Sequence, residues 1–338
     1  MKYAGNGELR INRVGNGIAK WTILDEGPGG RELLRFIATA CGGTNVVPRL
    51  HFDHRMLGRD PAQYLQIEFV LALFAPYEAS PDKQGPTTLG IRMSSAGHVV
   101  ALSKRDFELL PLEGPLIKAK TGMASSAFFL LGYGGRPTCH KDTDDFDFSD
   151  PHSRVRRIHS LFDGRARLTD PVEFLTRLHY RGIRGKRPAT GGALRRLASL
   201  FHEYLEVESS GWRERVCDFN SEWARLSAPQ QRIAAEALDV VRHLLDAHQT
   251  SIAPLDTPAL ILWDRPDRFR STRVFPRWAK LIDALLPGTQ FLVTLAQQSR
   301  DLLPPSRPLC IMLLLSMAIV CSQADIRPDR DSRSTDFS

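Results

Sequence analysis

The sequence predicts an α/β protein built on a parallel sheet, with a β-rich stretch and a helical stretch between its first and last parts. Three observations predict it. Residues 257–299 contain an apolar run at 259–263 closed by Asp264, apolar positions at helical spacing from about 276 to 286, and a second apolar run at 291–294. Two buried strands flanking a helix are the repeating unit of a parallel sheet. Near the start, a β-rich stretch runs into Gly27-Pro28-Gly29-Gly30, after which Leu33, Leu34, Ile37 and Cys41 recur at helical spacing. Between these regions, short β-rich runs at 64–74, 90–93 and 98–102 give way to a helical pattern from 153 to 223.

In chain order, residues 8–14 and 18–24 read as two short strands. The glycines and proline at 27–30 can neither extend a strand nor lie inside a helix, so they form a tight loop before the helix that starts at Arg31. A strand, a glycine-rich loop and a helix form an arrangement in which backbone N–H groups cradle phosphates. An upstream stretch, Asn16-Gly17-Ile18-Ala19-Lys20-Trp21-Thr22, has similar residue types and keeps a lysine. It would require a helix running through Gly27–Gly30, so the later loop is preferred. Residues 128–133 read as a buried strand ending in Tyr133-Gly134-Gly135-Arg136. A cationic loop over 181–192 interrupts the helical region, and it reads as solvated rather than as a nucleic-acid surface, since it lacks interleaved aromatics. Residues 226–245 form a long amphipathic helix capped by Ser227, with Ile233, Ala237, Val240, Val241 and Leu244 on one face.

Composition bounds the rest. The 338 residues suffice for one large α/β domain with insertions, and 42% apolar with 25% charged residues is the balance of a soluble globular chain. Net charge is +7, and only nine of the 45 basic residues are lysine, so arginine dominates; that suits phosphate contact and equally suits a solvated surface. Five widely spaced cysteines with no C-x-x-C pair argue against a disulfide framework or a zinc site and point to a reducing cytoplasm. The N-terminus lacks a signal-peptide pattern. The apolar run at 309–321 is too short to span a bilayer and reads as a buried strand or helix, with no membrane role expected. The aspartates of 141–150 lack the glycine and glutamate of a calcium loop. His51-Phe52-Asp53-His54 lacks a third ligand at a metal-site spacing.

Taken together, these motifs resemble the ABC-type P-loop ATPase heads, the SMC, RecF-like and OLD-like class that includes many bacterial AAA family ATPases. The resemblance covers most of residues 8–300 and implies a mixed sheet with an antiparallel β subdomain and an inserted helical lobe; it makes 1–305 one ATPase-like domain with that lobe at about 153–225, leaving 306–338 as a partly disordered C-terminal tail. It implies that Gly27 and Gly29 fall on the phosphate-loop glycines, Gly30 on the lysine and Arg31 on the Ser/Thr. It places Ser227 and Gln230 in the signature segment, where Ala228 and Pro229 replace two glycines. Asp264 falls on the magnesium-binding aspartate, Arg265 on the catalytic glutamate and Ala296 on the switch histidine.

Phosphoryl transfer in this class needs the lysine, the hydroxyl, the carboxylates and the histidine together. An arginine cannot act as a base. The resemblance therefore implies a degenerate ATPase domain with hydrolysis lost, binding ATP and magnesium weakly or not at all. Such a domain would act as a scaffold or pair with another head as a homo- or heterodimer. No catalytic residue is assigned, because Arg265 and Ala296 occupy replaced positions. Two alternatives stand beside it. One is an active ATPase in which Arg31 or Lys20 replaces the lysine and Asp267 the glutamate; the other is a basic nucleic-acid-binding or defence-system module.

Overall fold

The computed structural model describes residues 8–11, 20–25, 30–31, 34–35, 37–38, 63–72, 86–94, 99–101, 129–134, 138–139, 157–162, 167–183, 188–206, 219–248, 251–257, 259–268, 271, 273–305 and 316–323. Gly27, Gly29, Arg136, the His51–His54 cluster and the 141–150 aspartates lie outside these residues.

A four-stranded parallel sheet organises the α/β part of the chain, in the order β2 (Trp21–Asp25), β10 (Thr289–Leu295), β9 (Ala259–Asp264) and β6 (Phe129–Tyr133). The second and third strands are buried along their whole length, which explains why their sequences are nearly continuous apolar runs rather than alternating ones. Between β9 and β10 the chain crosses over through the helix Val274–Leu285. The boundaries differ by a few residues from those read in the sequence.

Alternate residues of the sheet point to opposite faces. On one face, Trp21, Phe291, Ile261, Trp263, Phe129, Leu131 and Tyr133 join a core with helices α1 (Pro171–Ile183), α2 (Pro188–Leu205), α4 (Ala228–Ala247) and α5 (Val274–Leu285). A short helix, α3 (Phe219–Arg225), precedes α4. Aromatic rings knit this layer. Trp21 stacks on Phe291 with centroids 4.2 Å apart, and Trp263 meets Trp278 edge-on at 4.7 Å and Tyr133 at 4.6 Å. On the other face, Gly132 and Gly134 admit the 158–161 segment so closely that a Cβ on Gly134 would lie 2.0 Å from the Ser160 carbonyl oxygen. The Ser160 hydroxyl donates to the Gly132 carbonyl at 2.7 Å, fixing that approach. The helical residues at 34–35 are tied to this face as well, because the Arg35 Nε–H donates to the Leu161 carbonyl at 2.8 Å.

One expectation is corrected here. The cationic loop predicted over 181–192 is shorter, because α1 runs to Ile183 and α2 starts at Pro188. Pro188 suits the first helical position, where its missing N–H is not needed, and Gly191 and Gly192 lie in the first turns of that helix. The apolar run near 309–321, left open as strand or helix, supplies β11 (Ser316–Gln323). That strand lies between β1 (Glu8–Ile11) and β3 (Gln63–Ala72) in a second sheet completed by β4 (Pro86–Ser94) and β5 (Val99–Ala101), paired antiparallel throughout. Residues expected to form a tail thus share a sheet with residues 8–11. Two short strands, Thr138–Cys139 and Arg167–Leu168, pair parallel with each other. No helix among the described residues is long and apolar enough to cross a membrane.

Candidate functional site

The register of the parallel sheet brings three sequence-predicted segments to one edge. Thr294 of β10 lies opposite both Leu24 of β2 and Asp264 of β9, so the three strands end at the same level. The chain leaving β2 re-enters helical conformation at Gly30 and Arg31. There the Arg31 Nε–H donates to Asp264 Oδ2 at 2.7 Å. The other carboxylate oxygen, Oδ1, accepts from the Thr294 hydroxyl at 2.8 Å. Asp264 is buried, and each of its oxygens is held by a donor from a different segment.

Beyond Asp264 the chain turns sharply. Arg265 has φ +53°, in the left-handed region that non-glycine residues rarely enter. Several contacts impose that conformation. The Arg265 backbone N–H is shared between the Thr294 carbonyl, at 3.2 Å, and the Thr294 hydroxyl oxygen, at 2.9 Å. The Arg265 side chain then folds back, with Nε donating to Asp267 Oδ1 at 3.0 Å. Asp267 Oδ2 accepts from the Ala296 N–H at 3.0 Å, pinning the turn after β9 to the end of β10. Asp267, weighed as a replacement glutamate, is buried with both oxygens occupied, so it is a clamp between two loops.

Lys20, the alternative phosphate-loop lysine, lies at the opposite end of the sheet. Its carbonyl pairs with Phe291, one residue before β2, and its Nζ donates to the Asp283 carbonyl at 2.7 Å and contacts the Asp283 carboxylate at 3.0 Å. At about 3.3 Å per strand residue, Lys20 is roughly 13 Å along the strands from the level of Asp264. It cannot serve a ligand at the Arg31 edge.

The match to magnesium can be tested on the donor set. Mg²⁺ takes oxygen ligands in a near-octahedral shell, usually one or two carboxylates with waters and phosphates. Asp264 is the one carboxylate that the resemblance assigns to it, and Arg31 stands where a hydroxyl ligand is expected. A guanidinium carries donors and no acceptor, so it cannot ligate a cation, and it already fills the Oδ2 position. Among the described residues no group of three or more His, Cys, Asp or Glu side chains could hold a metal ion. These residues do not fit the ion.

No model of a known protein family matches the chain, and no curated protein matches it in sequence. Among solved structures it is similar to the crystal structure of the SmcHead bound to the C-winged helix domain of ScpA, with 13% identity, a TM-score of 0.43, and 88% of this chain and 89% of that chain covered. At that identity and TM-score the likeness carries no weight for the chemistry, which rests on the residues themselves.

The predicted signature residues Ser227 and Gln230 are engaged with each other and with the end of α2. The Ser227 backbone N–H and hydroxyl both donate to Gln230 Oε1, at 2.8 and 2.7 Å, and Gln230 Nε2 donates to the Leu205 carbonyl at 2.6 Å. They cap α4 and tie it to the end of α2. Ala228 and Pro229 are exposed in its first turn.

The middle of α4 carries a cluster that sequence reasoning missed. From Ile233 to Arg242 the helix is buried all round, including Glu236, Asp239 and Arg242, not only on the apolar face read from its periodicity. Asp239 accepts from the Tyr133 hydroxyl at 2.7 Å, from the Thr169 hydroxyl at 2.8 Å and from the Thr169 N–H at 3.1 Å. Burial alone would raise its carboxyl, but the Arg242 charge and these hydrogen bonds hold it below the ordinary carboxylate value. Burial, reinforced by Asp239, pushes the Tyr133 hydroxyl well above its ordinary value. His243 Nε2 lies 2.8 Å from an Arg242 nitrogen that can only donate, so this ring nitrogen is an unprotonated acceptor. Burial first and the Arg242 charge second push that histidine down to about 3. With His243 neutral, Arg242 and the hydrogen bonds keep Asp239 ionised. A Tyr-Gly pair ending a buried strand was the available signal, since a buried tyrosine needs an acceptor.

Proposed function

We propose that this chain is an ABC-type, P-loop-like nucleotide-binding domain that binds ATP weakly, does not hydrolyse it efficiently, and serves as a scaffold or pairing partner of another ATPase head. The observation that carries the reading is the meeting of Arg31, Asp264 and Thr294 where three parallel strands end. Helical residues Gly30 and Arg31, an aspartate ending a buried strand and the end of a neighbouring strand meet at one edge, an arrangement that suits a phosphate site. Arg31 supplies positive charge there. A guanidinium holds five N–H donors, of which Nε is used on Asp264.

The same geometry argues against turnover. At the position of the catalytic glutamate, Arg265 is a cation bound to Asp267, and Asp267 is itself fully hydrogen-bonded. Ala296 offers no side-chain donor at the switch position. Removing one preorganised group from such a site costs about 3–4 kcal/mol of transition-state stabilisation, and here several are replaced. The test combines equilibrium ATP binding, phosphate release, and sedimentation with and without nucleotide. Binding with release no faster than an Asp264→Ala control supports the reading; absence of any ATP binding removes it.

The net charge of +7 favours a second reading, contact with nucleic acid. It requires affinity for DNA or RNA that falls steeply with salt. No binding at low salt eliminates it.

A further inference from the structure

We infer that the Arg31 guanidinium takes the place of a divalent cation at Asp264, so that a polyphosphate bound at this edge is neutralised by the chain's own charge and not by magnesium. The inference rests on the nucleotide-binding reading for its ligand, but its core concerns Asp264 itself.

Five contacts carry it. Asp264 Oδ2 is 2.7 Å from Arg31 Nε. Asp264 Oδ1 is taken by the Thr294 hydroxyl at 2.8 Å. That hydroxyl accepts in turn from the Arg265 N–H at 2.9 Å, so it donates to Asp264 and has an acceptor role to the turn, leaving it poorly placed to ligate an ion. Arg265 is then held by Asp267, which also binds the Ala296 N–H, so the carboxylate's surroundings are braced from both loops. A magnesium ion on this carboxylate would lie beside the Arg31 guanidinium, and the two positive charges would repel each other while competing for the same buried oxygens. Arg31 is 43% exposed, so the guanidinium spans from the buried carboxylate out to the edge where a phosphate would approach. Arginine forks suit phosphate oxygens as well as carboxylates.

The alternative is a plain structural salt bridge at a place no cation would occupy. Manganese, a paramagnetic substitute for magnesium, separates the two. Mn²⁺ binding to the full chain is measured by electron paramagnetic resonance for wild type, Asp264→Asn, Arg31→Thr, Arg31→Gln and Arg31→Thr combined with Asp264→Asn. Arg31→Gln keeps a neutral donor near Asp264 should the threonine variant unfold, which circular dichroism monitors. The expected result is no site in wild type, one site at least about tenfold tighter in the neutral variants, and its loss with Asp264→Asn. A wild-type site abolished by Asp264→Asn overturns the inference, and so does failure of folded neutral variants to gain one. In parallel, wild-type ATP affinity is measured in EDTA and in magnesium. The expected affinity in EDTA is equal to or greater than that in magnesium, whereas a tenfold loss in EDTA contradicts the inference. Failure to bind ATP at all sinks the nucleotide reading and leaves the manganese result to decide the role of Arg31.

Discussion

Arg31 and Asp264 stand 233 positions apart in the sequence and 2.7 Å apart in the fold. Their contact joins the start of a helix to the end of a buried strand. Arg31→Ala leaves Asp264 buried with one oxygen unsatisfied and should destabilise the protein by about 1–3 kcal/mol. Adding Asp264→Asn should recover part of that loss, since the buried charge is then gone. A denaturant-unfolding double-mutant cycle measures the coupling; additive single effects would show that the pair does not interact.

Arg265 pairs a left-handed backbone with a side chain bound to Asp267. Arg265→Gly relieves the backbone and loses the side-chain bond, two effects of about 1 kcal/mol with opposite sign, so stability should change by less than about 1 kcal/mol. Arg265→Glu keeps the strain and sets a second carboxylate beside Asp267, and it should be the more destabilising by about 1–2 kcal/mol. Restoring the glutamate should also yield no phosphate release while Arg31 remains on Asp264. Thermal melts and a phosphate assay on the two variants check this.

Gly134 is fixed by a backbone neighbour and Gly132 by a side chain. A methyl on Gly134 meets the Ser160 carbonyl at 2.0 Å, where only backbone movement gives relief, while one on Gly132 meets the Leu161 side chain at 2.4 Å. Gly134→Ala should therefore cost about 3 kcal/mol or more and Gly132→Ala about 1–2 kcal/mol. Equal losses in urea unfolding would show that the two approaches are equally adaptable.

Stability should fall as pH drops below neutral. His243 is held at about 3 and His248 at about 4, in both cases chiefly by burial with added repulsion from Arg242 or Arg157. A histidine depressed in the folded state is protonated more readily in the unfolded chain, so its contribution is fully present above about 6.5 and is lost as pH falls toward the folded value. Between pH 6.5 and 4 each accounts for on the order of 3 kcal/mol. His243→Gln should flatten that part of the pH–stability curve; an unchanged slope would place the histidine in a solvated setting.

The parallel sheet was legible because β9 and β10 are short apolar runs, the second bounded by the Pro287-Gly288 turn, and α5 keeps its apolar residues at helical spacing. The Ser227 cap of α4 was legible for the same local reason. Pro188 misled because a proline is tolerated at the first helical position, and Gly191 and Gly192 because a glycine inside a helix costs only about 1 kcal/mol relative to alanine. Asp264 was visible as an acidic residue closing a buried strand, but its partner was not, since nothing local to Arg31 announces a contact across the sheet. Asp239 was hidden more thoroughly. Periodicity assigned α4 one apolar face, and the burial of its polar side as well depends on Tyr133 and Thr169 arriving from distant strands and turns.

The most direct test of the account is phosphate release from ATP by purified protein in magnesium, measured against an Asp264→Ala control together with equilibrium ATP binding. The account predicts measurable ATP binding and release indistinguishable from that control. Turnover by the wild type clearly above the Asp264→Ala rate would contradict it.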